Sequence, residues 1–173
     1  MKKRTKLLTL CALFTAVLCV CAQIAVPMPS GIAFTLQTFG VALAGFTLGA
    51  KYGFLCTVTY IALGAIGVPV FSAFGGGVGT LFGYSGGFLW GLPLFSALCG
   101  CMFYVNQKTY KLLLLSFSLL LLHVCGVLWF CKVSGNGLLS SFMTVSLIYL
   151  PKDILSLAAA HFTAKRINKF IYK

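Results

Sequence analysis

Acidic side chains are almost missing from this chain. Glutamate is absent, and Asp153 is the one aspartate among 173 residues. That scarcity removes whole classes of chemistry. A two-carboxylate acid–base pair cannot be assembled, and a Ser–His–Asp constellation would have to recruit Asp153 itself. Charge of either sign is thin, at 8% of residues, while 60% are hydrophobic and the mean hydropathy is +1.04. A soluble domain of this size cannot hide so much apolar surface, so the chain reads as an all-α integral membrane protein. No internal repeat of the secondary-transporter kind is visible. No Gly-Lys-Ser/Thr closes the glycine-rich centre, which argues against a phosphate-cradling loop.

The cysteines and histidines lack ligand spacing. The eight cysteines (11, 19, 21, 56, 99, 101, 125 and 131) all lie in apolar segments or at their ends. Cys19/Cys21 and Cys99/Cys101 are two apart, roughly 200° around a helix, so one pair cannot chelate one ion. They read as small buried hydrophobes, with a metal or disulfide role as the lesser alternative. His123 and His161 stand alone in apolar spans, with no carboxylate or cysteine at metal spacing. Interhelical hydrogen bonding is the expected role.

What is present is basic and segmented. The net charge is +12, but the cations sit at the ends of apolar runs and form no single patch, so nucleic acid is not expected as a partner. Six spans are predicted, about 7–26, 33–50, 52–68, 84–104, 112–130 and 138–163, in one domain over 1–173. The first can also be read as a cleaved signal peptide, with small residues around Val20-Cys21-Ala22. Within it Ala12 and Ala16 are four apart, a spacing that admits close helix approach and equally reflects alanine's helix propensity. Six spans put both termini on one side, together with Lys51, Lys108 and Lys111. Eleven of the 13 cations then fall there, the exceptions being Lys132 and Lys152. That side is therefore cytoplasmic. The opposite side carries three loops rich in glycine and proline, 27–37, 69–83 and 132–137, around an outward-facing cup. Gly79, Gly83, Gly87 and Gly91 are four apart, and share one helix face once the helix has started near Tyr84.

Asp153 is the centre of interest. An ionised carboxylate in hydrocarbon is expensive and needs a partner or a polar cavity. Counting about 1.5 Å per residue from Leu138 puts it roughly 22 Å along the last helix, in the inner half of an untilted bilayer. Pro151 leaves the Leu147 carbonyl without its helical partner, so a free acceptor lies nearby. Ser156, three residues on, faces the same way. Lys152 points about 100° off and is not automatically a partner. The contrasting reading is a structural ion pair with Lys152 or Lys132.

Three stretches carry a resemblance: Phe34-Thr35-Leu36-Gln37-Thr38-Phe39, Gly64-Ala65-Ile66-Gly67-Val68-Pro69-Val70-Phe71, and Gly83-Tyr84-Ser85-Gly86-Gly87-Phe88-Leu89-Trp90-Gly91. In this order the chain resembles the BioY family, the biotin-binding substrate (S) components of energy-coupling factor (ECF) transporters. The family keeps its first helix, which disfavours the signal-peptide reading. The resemblance implies a multi-pass cell-membrane protein with the S-component fold and no catalysis of its own. It implies biotin as ligand, no cofactor and no metal. The implied partners are a transmembrane coupling protein, met by Ala12 and Ala16, and two ATPase subunits. The family commonly shows Pro-Gly-Asp with a lysine three residues later. Here Lys152 replaces the glycine and Ser156 the lysine, while Asp153 carries over directly. Asp153 can accept a ureido N–H. Phe34, Phe71, Phe74 and Tyr84 can wall the ring. Lys152, Ser156, Thr35, Gln37, Ser72 and the Gly75–Gly76 amides can meet the remaining polar atoms. The competing functions are a stand-alone carrier in which Asp153 titrates, and a membrane enzyme using a cysteine or histidine beside it.

Overall fold

The computed structural model describes residues 2–171. Lys173 lies outside the described residues, as do the side chains of Lys2 and Lys3. The chain is helical almost throughout. Helix α1, Lys2–Gln23, follows from the uninterrupted apolar run behind the basic start. Pro27 and Pro29 prevent its continuation. Two-residue strands β1, Ala25–Val26, and β2, Phe34–Thr35, pair antiparallel and pinch off the intervening loop.

Helix α2, Gln37–Ala65, is interrupted at Gly49, whose φ of 82° and ψ of 173° are not helical. A Cβ on Gly53 would lie 2.8 Å from the Gly45 Cα. In a continuous helix those residues would be separated by about 12 Å along the axis. The chain therefore doubles back at Gly49, and 37–48 packs against 50–65. Only a residue without a Cβ takes up that positive φ without strain.

Residues 66–85 form a loop with a 3₁₀ turn at Ser72–Phe74 and a short helix α3, Val78–Phe82. Helix α4, Gly86–Gly100, runs on into a 3₁₀ turn at Cys101–Tyr104. Helix α5, Lys108–Ser134, ends at Gly135 in the left-handed conformation, whose N–H donates to the Cys131 carbonyl. The last span is broken. Helix α6, Leu138–Phe142, passes into a π-helical turn at Met143–Leu147, and α7, Leu150–Ile171, starts after a bend of 40°. Pro151 explains the break, since it has no N–H to continue the ladder.

Among the described residues four helical stretches are apolar and long enough to cross a membrane: Arg4–Gln23, Gln37–Ala65, Gly86–Tyr104 and Lys108–Ser134. The bent pair 138–171 makes a fifth. Glycine sets the closest approaches. A Cβ on Gly87 would come within 2.3 Å of the Trp129 Cβ on α5, and one on Gly91 within 3.0 Å of Leu122 Cδ1. Gly79 and Gly83 do not share this contact as the spacing predicted, because α4 starts only at Gly86. A Cβ on Gly100 would meet the Ala50 backbone at 2.2 Å, so the end of α4 lies on the Gly49 turn. Lys6 Nζ donates to the Ile171 carbonyl at 2.7 Å, joining the start of α1 to the end of α7. At the other end the 24–36 and 66–85 loops meet, with Gly31 against the Tyr84 ring.

Candidate functional site

Beneath those two loops is a cavity of about 50 Å³ with Asp153 and Lys152 in its lining. Asp153 is 3% exposed. It lies in the first turn of α7, level with Ile32, Thr35 and Ser72 from the loop end. The helix restarts at Leu150 after a bend of 40°, so a count along one unbroken helix from Leu138 does not describe the last span.

Two side chains face the carboxylate. Lys152 Nζ is 2.5 Å from Oδ1, and His123 Nε2 is 3.3 Å from Oδ2. Helix geometry alone puts the lysine about 100° off the acid, and the ion pair with Lys152 was the contrasting expectation. The lysine stem curls back, because the ammonium also donates to the Thr35 carbonyl at 3.0 Å and to Thr38 Oγ1 at 3.5 Å. It rests 5.2 Å from the centre of the Phe34 ring, a favourable position over an aromatic face. Strand β2 and the start of α2 therefore aim the cation at the acid. Lys132, the other candidate partner, takes no part.

His123 reaches from α5, and its Nδ1 lies 3.0 Å from Ser146 Oγ in the π-helical turn. Ser146, His123 and Asp153 thus form a chain with the order of a hydrolytic triad. Ser146 is 0% exposed and opens on no cavity, so its hydroxyl cannot reach a substrate carbonyl. The chain acts as a brace that orients one carboxylate oxygen. The hydrogen-bonding role expected of His123 is observed with Ser146; what spacing did not reveal is that its other ring nitrogen faces the acid.

Thr35, Gln37, Phe71 and Ser72 join Lys152 and Asp153 in the cavity lining, with Thr38, Ser85 and Phe88. Gln37 Nε2 donates to the Tyr60 hydroxyl at 2.9 Å, and Tyr60 meets Phe71 edge-on at 5.4 Å. Phe34, expected to wall the ligand, does not line this cavity but the neighbouring cleft, its ring centre 5.8 Å from that of Tyr149. Tyr149 in turn bonds Ser30 Oγ at 2.9 Å and donates to the Ile32 carbonyl. Ser156, Gly75, Gly76, Phe74 and Tyr84 do not line the cavity. Ser156 opens with Leu36 and Pro151 on a separate cleft, one turn further along α7. The Phe71 N–H closes a tight loop on the Gly75 carbonyl at 2.9 Å. Ala73 and Phe74 take positive φ within it, which turns 73–76 outward. Tyr84 packs on Phe130, their ring centres 5.6 Å apart. Ala12 and Ala16 are both exposed on α1.

Sequence reasoning missed Gln23. Its Nε2 donates to the Pro69 and Phe71 carbonyls at 3.1 and 3.0 Å, and its Oε1 accepts the Phe74 N–H at 3.0 Å. One amide at the end of α1 thus straps the 66–85 loop over the cavity. A lone polar residue closing an apolar run was the available signal. All eight cysteines are free. No cluster among the described residues has the makings of a metal site. The lining offers a carboxylate acceptor, an ammonium donor, hydroxyls and aromatic walls. That set suits a small, largely apolar molecule with adjacent N–H and carbonyl groups.

Comparison with known proteins points the same way. The model of the BioY family matches residues 1–173. A probable biotin transporter of Pyrococcus horikoshii is 34% identical over 165 residues, covering 95% of this chain and 98% of that protein. The biotin transporter of Thermotoga maritima is 44% identical over 90 residues, 52% of this chain and 53% of its own length. A crystal structure of the S-component for biotin from an ECF-type ABC transporter aligns with a TM-score of 0.87 at 26% identity, covering 97% of this chain and 93% of that one. With the family match running from end to end, this chain belongs to the BioY family.

Proposed function

We propose that this chain is the biotin-binding membrane subunit of an ATP-driven vitamin importer, and not an enzyme. The observation that carries the reading is Asp153, the only acid of a BioY-family chain, buried and braced at a cavity below the loops. Asp153 accepts a ureido N–H of biotin, and Lys152 donates to the ureido carbonyl. Both bonds are charge-assisted in a site shielded from water. Phe71 and Phe88 wall the bicyclic ring, and Thr35, Thr38, Gln37 and Ser72 serve the remaining polar atoms. Ser156, Gly75, Gly76 and Tyr84 fall outside this ligand set.

The chain crosses the cell membrane six times, with α2 supplying two crossings either side of Gly49 and the broken 138–171 pair the last. Both termini and the basic turns face the cytoplasm, as the positive-inside rule requires. Biotin enters from outside beneath the 66–85 loop. Ala12 and Ala16 face a transmembrane coupling protein, and two ATPase subunits on that partner supply the energy.

The test is a biotin titration of the purified chain in detergent. Saturable one-to-one binding is expected, weakened at least thirtyfold in Asp153→Asn, in line with about 2–5 kcal/mol for truncating a buried hydrogen-bonded charge. A wild-type chain that ignores biotin would sink the ligand assignment. Uptake into vesicles lacking any ATPase would favour a stand-alone carrier.

A further inference from the structure

The end of the molecule opposite the cavity holds a larger cleft, about 480 Å³, between α7, the start of α5 and the 3₁₀ turn that ends α4. Its rim carries Lys111, Lys165 and Lys169, and its floor is Phe46, Met102 and Phe103. The cleft is built rather than incidental. Asn168 Nδ2 donates to the Phe46 carbonyl at 3.1 Å, and His161 meets the Phe46 ring edge-on at 5.5 Å. An adjoining groove shares Lys165 and Lys169 and adds Arg166 and Phe162.

These cations have no carboxylate side chain to pair with. Asp153 is the only one in the chain, and it is committed to Lys152 and His123. The cluster is thus left free of side-chain acids and open to an anionic ligand. The surroundings indicate which kind. Tyr104, Tyr110 and Phe170, next in sequence to lining residues of the cleft, are all strongly exposed. The two tyrosines, with an apolar ring and a polar end, are of the kind enriched at the headgroup level of a bilayer. A ligand at that depth with one negative group and an apolar tail matches both rim and floor. A basic pocket between membrane helices is suited to that chemistry.

On the reading of this chain as a membrane subunit, we infer that this cleft is a binding site for an anionic phospholipid. The headgroup phosphate lies among Lys111, Lys165 and Lys169, and an acyl chain covers Phe46, Met102 and Phe103.

Native mass spectrometry of the full chain, released from neutral detergent, tests this with dioleoyl phosphatidylglycerol, dioleoyl phosphatidylcholine and inorganic phosphate as probes. Wild type is expected to retain one phosphatidylglycerol with at least tenfold preference over phosphatidylcholine. The triple variant Lys111→Gln, Lys165→Gln, Lys169→Gln is expected to lose at least tenfold of that retention. The charge-matched control Lys51→Gln, Lys108→Gln, Lys132→Gln stays within twofold of wild type. Equal losses in both triple variants would reduce the effect to net charge and overturn the site. Equal retention of phosphatidylcholine would make it an unselective annulus, and displacement by matched inorganic phosphate a soluble-anion site. A cleft variant that keeps phosphatidylglycerol but no longer assembles with the coupling protein would reassign the cleft to an acidic protein segment. Biotin binding is measured alongside. Its absence from wild type would count against the transport function, while selective lipid retention would still support the cleft.

Discussion

The two ends of this molecule use the same residue type in opposite ways. At the loop end a lysine is drawn inside, its ammonium 2.5 Å from a carboxylate and held by a backbone carbonyl and a hydroxyl. At the other end Lys165 and Lys169 remain exposed around an open cleft. The difference is the supply of acid. A buried cation is tolerable only when paired and hydrogen-bonded, and this chain can pair only one site internally. The single acid therefore selects which lysine becomes part of an interior site, and leaves the others to interact with something outside the chain.

Breaking the internal pair should have the largest effect. Asp153→Ala leaves Lys152 buried and unpaired, a loss of about 3–5 kcal/mol. A clear fall in melting temperature in detergent is expected, together with at least a hundredfold loss of biotin affinity. The double variant Asp153→Ala, Lys152→Met should melt above the single one, because the stranded charge is gone. A double variant that melts lower would show the two ends to be less different than their geometry implies. Next in size is the brace. His123→Ala releases Asp153 Oδ2, and about tenfold weaker biotin binding is expected by calorimetry, given roughly 1.5–3 kcal/mol for a hydrogen bond to a charged group. His123→Gln, which keeps an N–H donor, should recover part of it. Gln23→Ala removes three hydrogen bonds from the 66–85 loop, each worth about 1 kcal/mol net. Its expected signature is a biotin off-rate raised several-fold in stopped-flow measurements, with a smaller change in on-rate. The smallest effect belongs to the far end. Lys111→Gln should change biotin affinity less than twofold, and a larger change would couple the two ends.

Much of this was legible in the residues. Apolar runs located the helices, and the positive-φ turn at Gly49 falls at the junction of the predicted spans 33–50 and 52–68. Asp153 announced itself by scarcity, and the motifs around Thr35, Phe71 and Gly86 identified the family. Thr35, Gln37, Phe71 and Ser72 do line the cavity with Asp153 and Lys152. Helical counting tells which residues share a face, not what lies across from that face. Ser156 is three residues past Asp153 on the same helix, yet it opens on the neighbouring cleft. The positive φ of Ala73 and Phe74 turned Gly75 and Gly76 outward in a way no spacing records. Lys152 pairs with its neighbour only because Thr35 and Thr38, more than a hundred residues earlier, hold its ammonium there.

The sequence by itself determined the class of protein, the family and the identity of the one residue able to act as an internal anion. Those follow from composition and local pattern, which need no knowledge of what lies across the bundle. Only the tertiary structure decided which groups meet that anion. Lys152, His123 and the Gln23 strap become a site through packing between α1, α2, α5 and α7. A side chain's partner depends on the distance between helices, which sequence separation does not encode.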